Sequence, residues 1–169
     1  MSRTPAEAGR YASNKGKQAE RFVAAYFRSR GWGEAERYGS TGWRNAVRES
    51  PDVGDIKGVH PLVVQVKYYA EEPSDAQVAQ WLGEAEAQRV AAGGKVAVLV
   101  VRRKGKADPA LWWAWLRADV FERLTGGEFW PAGELGLTDV VTSDLLAYPV
   151  RLRLDHCLSM LHNSGYGRP

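Results

Sequence analysis

Four residues have the types and spacing to do chemistry together: Glu20, Asp55, Gln65 and Lys67. Gln65 and Lys67 stand two apart in Leu62-Val63-Val64-Gln65-Val66-Lys67-Tyr68-Tyr69, a β-branched and aromatic run that reads as a strand, so both side chains leave one face. Asp55 lies in Pro51–Val59, read as the preceding strand, with Val53, Asp55, Lys57 and Val59 on one side and Ile56 opposite. The turn Gly58–Pro61 closes the two into a hairpin. Glu20 sits at the rim of an amphipathic helical face. With that helix packed across the hairpin, two carboxylates, an amide oxygen and an ammonium surround one small volume.

Such a group suits a hard divalent cation. Magnesium takes oxygen ligands and keeps several waters. Asp55, the Gln65 side-chain oxygen and the Val66 carbonyl are the candidate ligands, and Glu20 is placed to hold a second ion or a metal-bound water. Lys67 is placed to orient an attacking water and to offset charge on a phosphate. Hydrolysis of a phosphodiester needs this set. Spacing alone does not single it out: an Asp followed by Gln-x-Lys is common by chance, Lys67 also reads as a sheet-surface charge, Asp55 as a turn cap and Glu20 as a solvated helix residue. The strand, hairpin and helix context joins them.

The elements that must position these groups are legible from periodicity. Ala19, Phe22, Val23, Tyr26 and Phe27 recur at helical spacing within Lys15–Arg30. Tyr38–Glu49, with Gly39-Ser40-Thr41-Gly42, reads as a loop. Pro73-Ser74-Asp75-Ala76-Gln77 opens a second helix with Ser74 as cap and Gln77 at the reciprocal position; Val78, Trp81, Leu82, Ala85 and Arg89 form its face, and Gly93-Gly94 ends it. Val96–Val101 is a buried strand, Arg102–Asp108 a basic loop, Leu111–Leu116 another strand and Ala118–Leu124 a short helix. After Thr125 the pattern thins: Leu152, Leu154, Leu158 and Leu161 belong to a terminal strand or helix that covers the core, and Asn163–Pro169 reads as a frayed tail. The order α-β-β-α-β-β-α predicts an α/β fold, a mixed sheet flanked by helices. A chain of 169 residues fits one domain over 1–169, with its core at about 10–124 and a C-terminal extension at 125–169.

No apolar run approaches membrane length, and the polar Met1–Lys17 lacks a signal core, so a cytoplasmic location is expected. Cys157 is the only cysteine, which excludes an internal disulfide and a cysteine zinc site within one chain. The formal charge of +3 is small, but it is clustered. Arg3, Arg10, Lys15 and Lys17 precede the first helical face, and Arg102, Arg103, Lys104 and Lys106 form a second group. Each reads as a solvated surface or as phosphate contacts, and two clusters beside the four candidate residues favour phosphate. Ser40 and Thr41 are either phosphate contacts or plain turn residues. Trp43 stands beside Arg44 in the same polar loop, whereas the other tryptophans read as core or interface. His60, His156 and His162 lack metal-ligand spacing.

Lys15-Gly16-Lys17-Gln18-Ala19-Glu20-Arg21, then Gly54-Asp55-Ile56, then Val63-Val64-Gln65-Val66-Lys67 resembles the PD-(D/E)XK nucleases, and within them the archaeal-type and phage-encoded Holliday junction resolvases. Trp81–Arg89 followed by Arg102-Arg103-Lys104-Gly105-Lys106 is similar to the phage members. The resemblance covers about residues 10 to 117. It implies a restriction-endonuclease-like core and a metal site of Glu20, Asp55, Gln65 and Lys67. It also implies magnesium, with manganese able to substitute, a homodimer acting on branched or four-way DNA, and host cytoplasm for a phage-encoded chain. DNA contacts are then expected from Lys15, Lys17, Ser40, Thr41, Arg44, Arg102, Arg103, Lys104 and Lys106. One departure stands out: the family's usual glutamate is Gln65 here, which keeps an acceptor oxygen but loses a charge. Type I restriction subunits are similar in carrying Gln-x-Lys. Asp52 rivals Asp55 because Pro51-Asp52 matches the family name, but the Gly-Asp-Ile context and its spacing to Gln65 favour Asp55. Three functions follow: a junction-resolving endonuclease, another repair or restriction nuclease of the superfamily, and a DNA-binding protein that does not cut.

Overall fold

The computed structural model describes residues 4–38, 54–126 and 148–167. The first helix, α1 (Pro5–Ser29), begins ten residues before the expected start. Its apolar face does not reach that far. A capping box does: Thr4 accepts from the Glu7 amide at 3.3 Å, and Glu7 accepts from the Thr4 amide at 2.9 Å, with Pro5 in the first turn. Short strands β1 (Glu36–Arg37) and β2 (Ile56–Lys57) follow, then β3 (Leu62–Lys67), α2 (Asp75–Ala91) and β4 (Val96–Val101). A 3₁₀ turn at Pro109–Leu111 leads to β5 (Trp113–Arg117), α3 (Ala118–Thr125), β6 (Pro149–Arg153) and α4 (Leu154–Asn163).

The described residues thus form an α/β fold with a six-stranded mixed sheet in the order β1-β2-β3-β4-β5-β6 and four α-helices. Every neighbouring pair is antiparallel except β3 and β4, which run parallel because α2 carries the chain back between them. Among the described residues no helix is long and apolar enough to cross a membrane.

Strand alternation sends two sets of side chains to two layers. Val64, Val66, Val98, Val100 and Ala114 meet Ala19, Val23 and Phe27 of α1 and Leu154, Leu158 and Leu161 of α4. On the other face Leu99, Val101 and Trp115 pack against Val78 and Leu82 of α2. This two-sided cover explains why β4 is apolar at all six positions.

Three sequence expectations need correction. Ile56 does not oppose Val59: both are buried in the α1-side core, and Lys57 and Gly58 between them are exposed. Gly58 breaks the alternation, with φ +76 and its Cα so close to the neighbouring loop that a Cβ would lie 2.0 Å from the Glu34 carbonyl oxygen. The expected strand at Leu111–Leu116 starts later, after the 3₁₀ turn. Finally, the chain beyond 148 is not an appendage. It adds β6 to the sheet and α4 to the core, and even the expected tail is anchored, Tyr166 packing on the core with its amide on the Leu161 carbonyl at 2.9 Å.

Both strands entering helices near the C-terminus end in Arg-x-Asp. Arg117 forks onto Asp119 with contacts of 3.0 and 2.9 Å, Arg153 pairs with Asp155 in the same way, and each aspartate accepts from the next backbone amide at 2.8 Å. Each acid thereby satisfies an open amide of the first helical turn.

Gly58→Ala should cost about 2 kcal/mol or more, because it combines a disallowed φ with a backbone collision. In a chain of this size that is roughly 4–8 °C in Tm. An unchanged melting temperature would refute the close approach of this turn to Glu34.

Candidate functional site

The site is built on β3. Gly54 and Asp55 run directly against it: the Asp55 amide donates to the Val64 carbonyl at 2.8 Å, and the Tyr38 amide donates to the Asp55 carbonyl at 2.7 Å. Gly54 adopts φ +88, and a Cβ there would lie 2.6 Å from the Val64 oxygen, so the Gly-Asp pair is required by the approach itself. Asp55 then turns its carboxylate onto β3, where Oδ2 accepts from the Val66 amide at 2.6 Å. Within a strand the backbone groups of alternate residues point to the same side. Val64 and Val66 bond toward Asp55, whereas the Lys67 carbonyl accepts from the Arg102 amide on the β4 side at 3.0 Å. The Val66 carbonyl therefore emerges beside the Asp55 carboxylate.

Gln65 and Lys67 leave β3 on the α2 face, as their spacing predicts. Gln65 is 5 % exposed and is the buried polar side chain of the described residues. Its amide donates to Glu84, while its Oε1 is buried with no hydrogen-bond partner. An orphaned buried acceptor is costly and asks for a cation or a donor. Lys67 Nζ lies 3.2 Å from Glu84 Oε2 and 5.8 Å from the centre of the Trp81 ring. Glu84 also accepts from Gln80 at 3.3 Å. Desolvation raises the Glu84 pKa, but hydrogen bonds from Lys67, Gln80 and Gln65 and the Lys67 charge outweigh it, and the carboxyl is held below its ordinary value.

Glu84 is the residue that sequence reasoning missed. Its signal was present: it stands three residues after Trp81 on α2, so the two share a face. Nothing in the spacing said that this face would meet Lys67.

Glu20 goes elsewhere. Its carboxylate forms a partly buried ion pair with Arg37 of β1. Arg37 is in register with Ile56, which faces the α1 layer. The α1 stripe of Ala19, Val23 and Phe27 takes up Val64 and Val66, and alternation turns Gln65 and Lys67 to the opposite layer. The expected convergence of Glu20 on Gln65 and Lys67 is therefore replaced by convergence of Glu84 from α2.

Among the described residues no group of three or more His, Cys, Asp or Glu is gathered as a metal cluster. The oxygens that could hold a hard cation are of mixed type: one Asp55 carboxylate, the orphaned Gln65 Oε1 and the Val66 carbonyl. Such a set carries little anionic charge and suits an ion that keeps most of its waters.

The basic residues divide by partner. Lys104 pairs with Glu71 at 2.6 Å, and Arg102 lies over Tyr68 at 5.0 Å. Arg103 lies over Trp113 at 4.1 Å, and Lys15 over Tyr11 at 5.5 Å. Lys17 and Lys106 are exposed, and the Lys106 carbonyl accepts from the buried Trp112 indole at 3.0 Å, which fixes the base of the basic loop. Arg3, Ser40, Thr41, Trp43, Arg44 and Asp52 lie outside the described residues. No family model, no curated protein and no solved structure matches this chain.

A depressed Glu84 pKa means that the pair with Lys67 stabilises the fold fully above the unfolded-state glutamate value and ceases to do so as pH falls through the lower, folded one. Carboxyl NMR should show the Glu84 midpoint below that of a free glutamate, and Lys67→Ala should move it upward. The same midpoint in both proteins would show that Lys67 does not hold Glu84.

Proposed function

We propose that this sheet is a restriction-endonuclease-like core and that the protein is a magnesium-dependent DNA endonuclease of the PD-(D/E)XK type, acting on branched DNA as a homodimer. One observation carries the reading. The buried, unpartnered Gln65 Oε1 stands one residue from Val66, whose amide is held by Asp55. Oxygens of three kinds are thereby borne by, or bonded to, the strand that presents Lys67. Two matched cuts in a four-way junction call for two sites related by a two-fold axis, which a dimer supplies.

Asp55, Gln65 Oε1 and the Val66 carbonyl would hold the ion. When bound, it supplies Lewis acidity and an acidified water. Asp55 is prepared for the task because the Val66 amide fixes its carboxylate in orientation. Lys67 keeps ammonium protons beyond the one directed at Glu84, and these orient a water or a phosphate oxygen. Glu84 brings from α2 the negative charge that position 65 lacks. The Glu20–Arg37 pair fixes α1 against the sheet edge. A second reading, a protein that binds branched DNA without cutting it, draws on the same contacts: Lys67 and Glu20 are both occupied by ion pairs, and Gln65 is uncharged.

A synthetic four-way junction and a linear duplex, each incubated with the protein and magnesium, separate the two. Nicking of the junction supports the first reading; binding with no cleavage in any divalent metal supports the second. Asp55→Ala or Lys67→Ala should lower cleavage at least roughly a hundredfold with junction binding largely kept, since affinity rests on basic contacts elsewhere. Full activity of Asp55→Ala would remove the site.

Gln65 gives a finer test. Gln65→Glu should lower the magnesium needed for half-maximal cleavage, by restoring an anionic oxygen of nearly the same shape, and Gln65→Ala should raise it. Superimposable titrations of the three proteins would show that Gln65 holds no metal.

A further inference from the structure

The described arginines differ in what holds them: Arg28 and Arg123 donate to backbone carbonyls, and Arg102 lies over Tyr68. Arg37, Arg89, Arg117 and Arg153 each have a carboxylate partner. Arg103 and Arg151 have none among the described residues. Instead both lie on one indole: Arg103 is 4.1 Å and Arg151 4.5 Å from the Trp113 ring centre, and Arg151 is also 5.5 Å from that of Trp115. Each contact is within the range of a cation–π interaction. Two cations on one aromatic ring repel each other, and neither makes an ion pair with a described carboxylate. Such an arrangement is complementary to an external anion.

The sheet register says which anion. Lys67 pairs with Val101, and Val101 with Trp113, so Lys67 and Trp113 occupy one rung and one face. Gln65, Leu99, Trp115 and Arg151 occupy the next rung on that face. At about 4.8 Å per strand, the arginine pair stands roughly 10–14 Å from β3. A nucleic acid strand rises about 3.4 Å per nucleotide, so three or four nucleotides bridge that gap. Planar guanidiniums suit phosphate oxygens, and their stacking on Trp113 holds them in place before the ligand arrives.

We propose that Arg103 and Arg151, held on Trp113, form a clamp for the phosphodiester backbone of DNA, three to four nucleotides from the phosphate addressed by Lys67. The clamp deepens the nuclease reading and rests on it for the identity of the nucleic acid. It also gives the C-terminal strand a role, because Arg151 lies on β6, beyond the stretch that resembles the resolvases.

The test uses the full chain and a labelled four-way junction in metal-free buffer, with affinity measured by fluorescence anisotropy against salt. The double variant Arg103→Gln, Arg151→Gln should bind roughly tenfold or more weakly and lower the slope of log affinity against log salt by about 1.8, two contacts at about 0.9 each. Lys95→Gln, the loss of an exposed charge at the other end of the sheet, should leave the slope near wild type. Arg103→Lys, Arg151→Lys keeps the charges and should restore most of the slope, which guards against a folding defect in the glutamine variant. A slope in the double glutamine variant equal to that of Lys95→Gln overturns the clamp, as does a wild type that does not bind DNA or that binds poly-glutamate equally well at matched charge. A reduced slope in a protein that never cleaves keeps the clamp and removes the nuclease; cleavage with an unchanged slope does the reverse.

Discussion

The hydrogen bond from the Val66 amide to the Asp55 carboxylate is the constraint around which the rest of the site is arranged. It joins a loop-borne acid to a buried strand, and it does so where β2 is too short to continue the ladder. A side chain replaces a backbone acceptor, so the sheet edge is satisfied and the carboxylate is oriented by one contact. That contact needs Gly54, since any Cβ would push the chain off Val64. A buried amide bonded to a carboxylate is charge-assisted and short, which makes it a firm anchor for a group that must not wander.

Two layers divide the labour. The α1 and α4 side is dry and apolar, and it fixes β3 and β4. The α2 side is mixed: Leu82 and Val78 cover β4, while Glu84, two residues beyond Leu82 on the same helix, faces Gln65 and Lys67 on β3. The helix that closes the parallel crossover is therefore also the helix that brings a carboxylate to the site. This explains how a strand with an uncharged glutamine at position 65 still has an anionic oxygen nearby. The acid comes from a different element because the residue at 65 is buried against α2, where its amide can donate to that acid.

Charge on the surface is sorted in the same way. Arginines at the strand-to-helix junctions are consumed by neighbouring aspartates and serve the fold. Lys104 is neutralised by Glu71. Arg103 and Arg151 are spared, and tryptophans rather than acids hold them. A cation on an aromatic face keeps its charge for an outside partner, whereas a cation in a fork with a carboxylate does not.

By itself the sequence determined the main elements and half of the site. The apolar run Val96–Val101 read as a buried strand from its length and β-branched content, the stripe of Ala19, Val23 and Phe27 read as one helical face, and Gln65 and Lys67 shared a side of β3, because strand length and periods of two and of about 3.6 residues are local properties of the backbone. The pairing of Gly54-Asp55 with β3 was also legible, since a short turn leaves little choice of partner. The tertiary structure alone decided that Glu84, not Glu20, meets Lys67, that β6 and α4 complete the sheet and core, and that Arg151 and Arg103 share one indole. The physical reason is the same in each case. Periodicity gives the face of an element but not the layer that face will meet, and these contacts join residues 17, 40 or more positions apart, across layers whose order is set only when the whole apolar surface is buried at once.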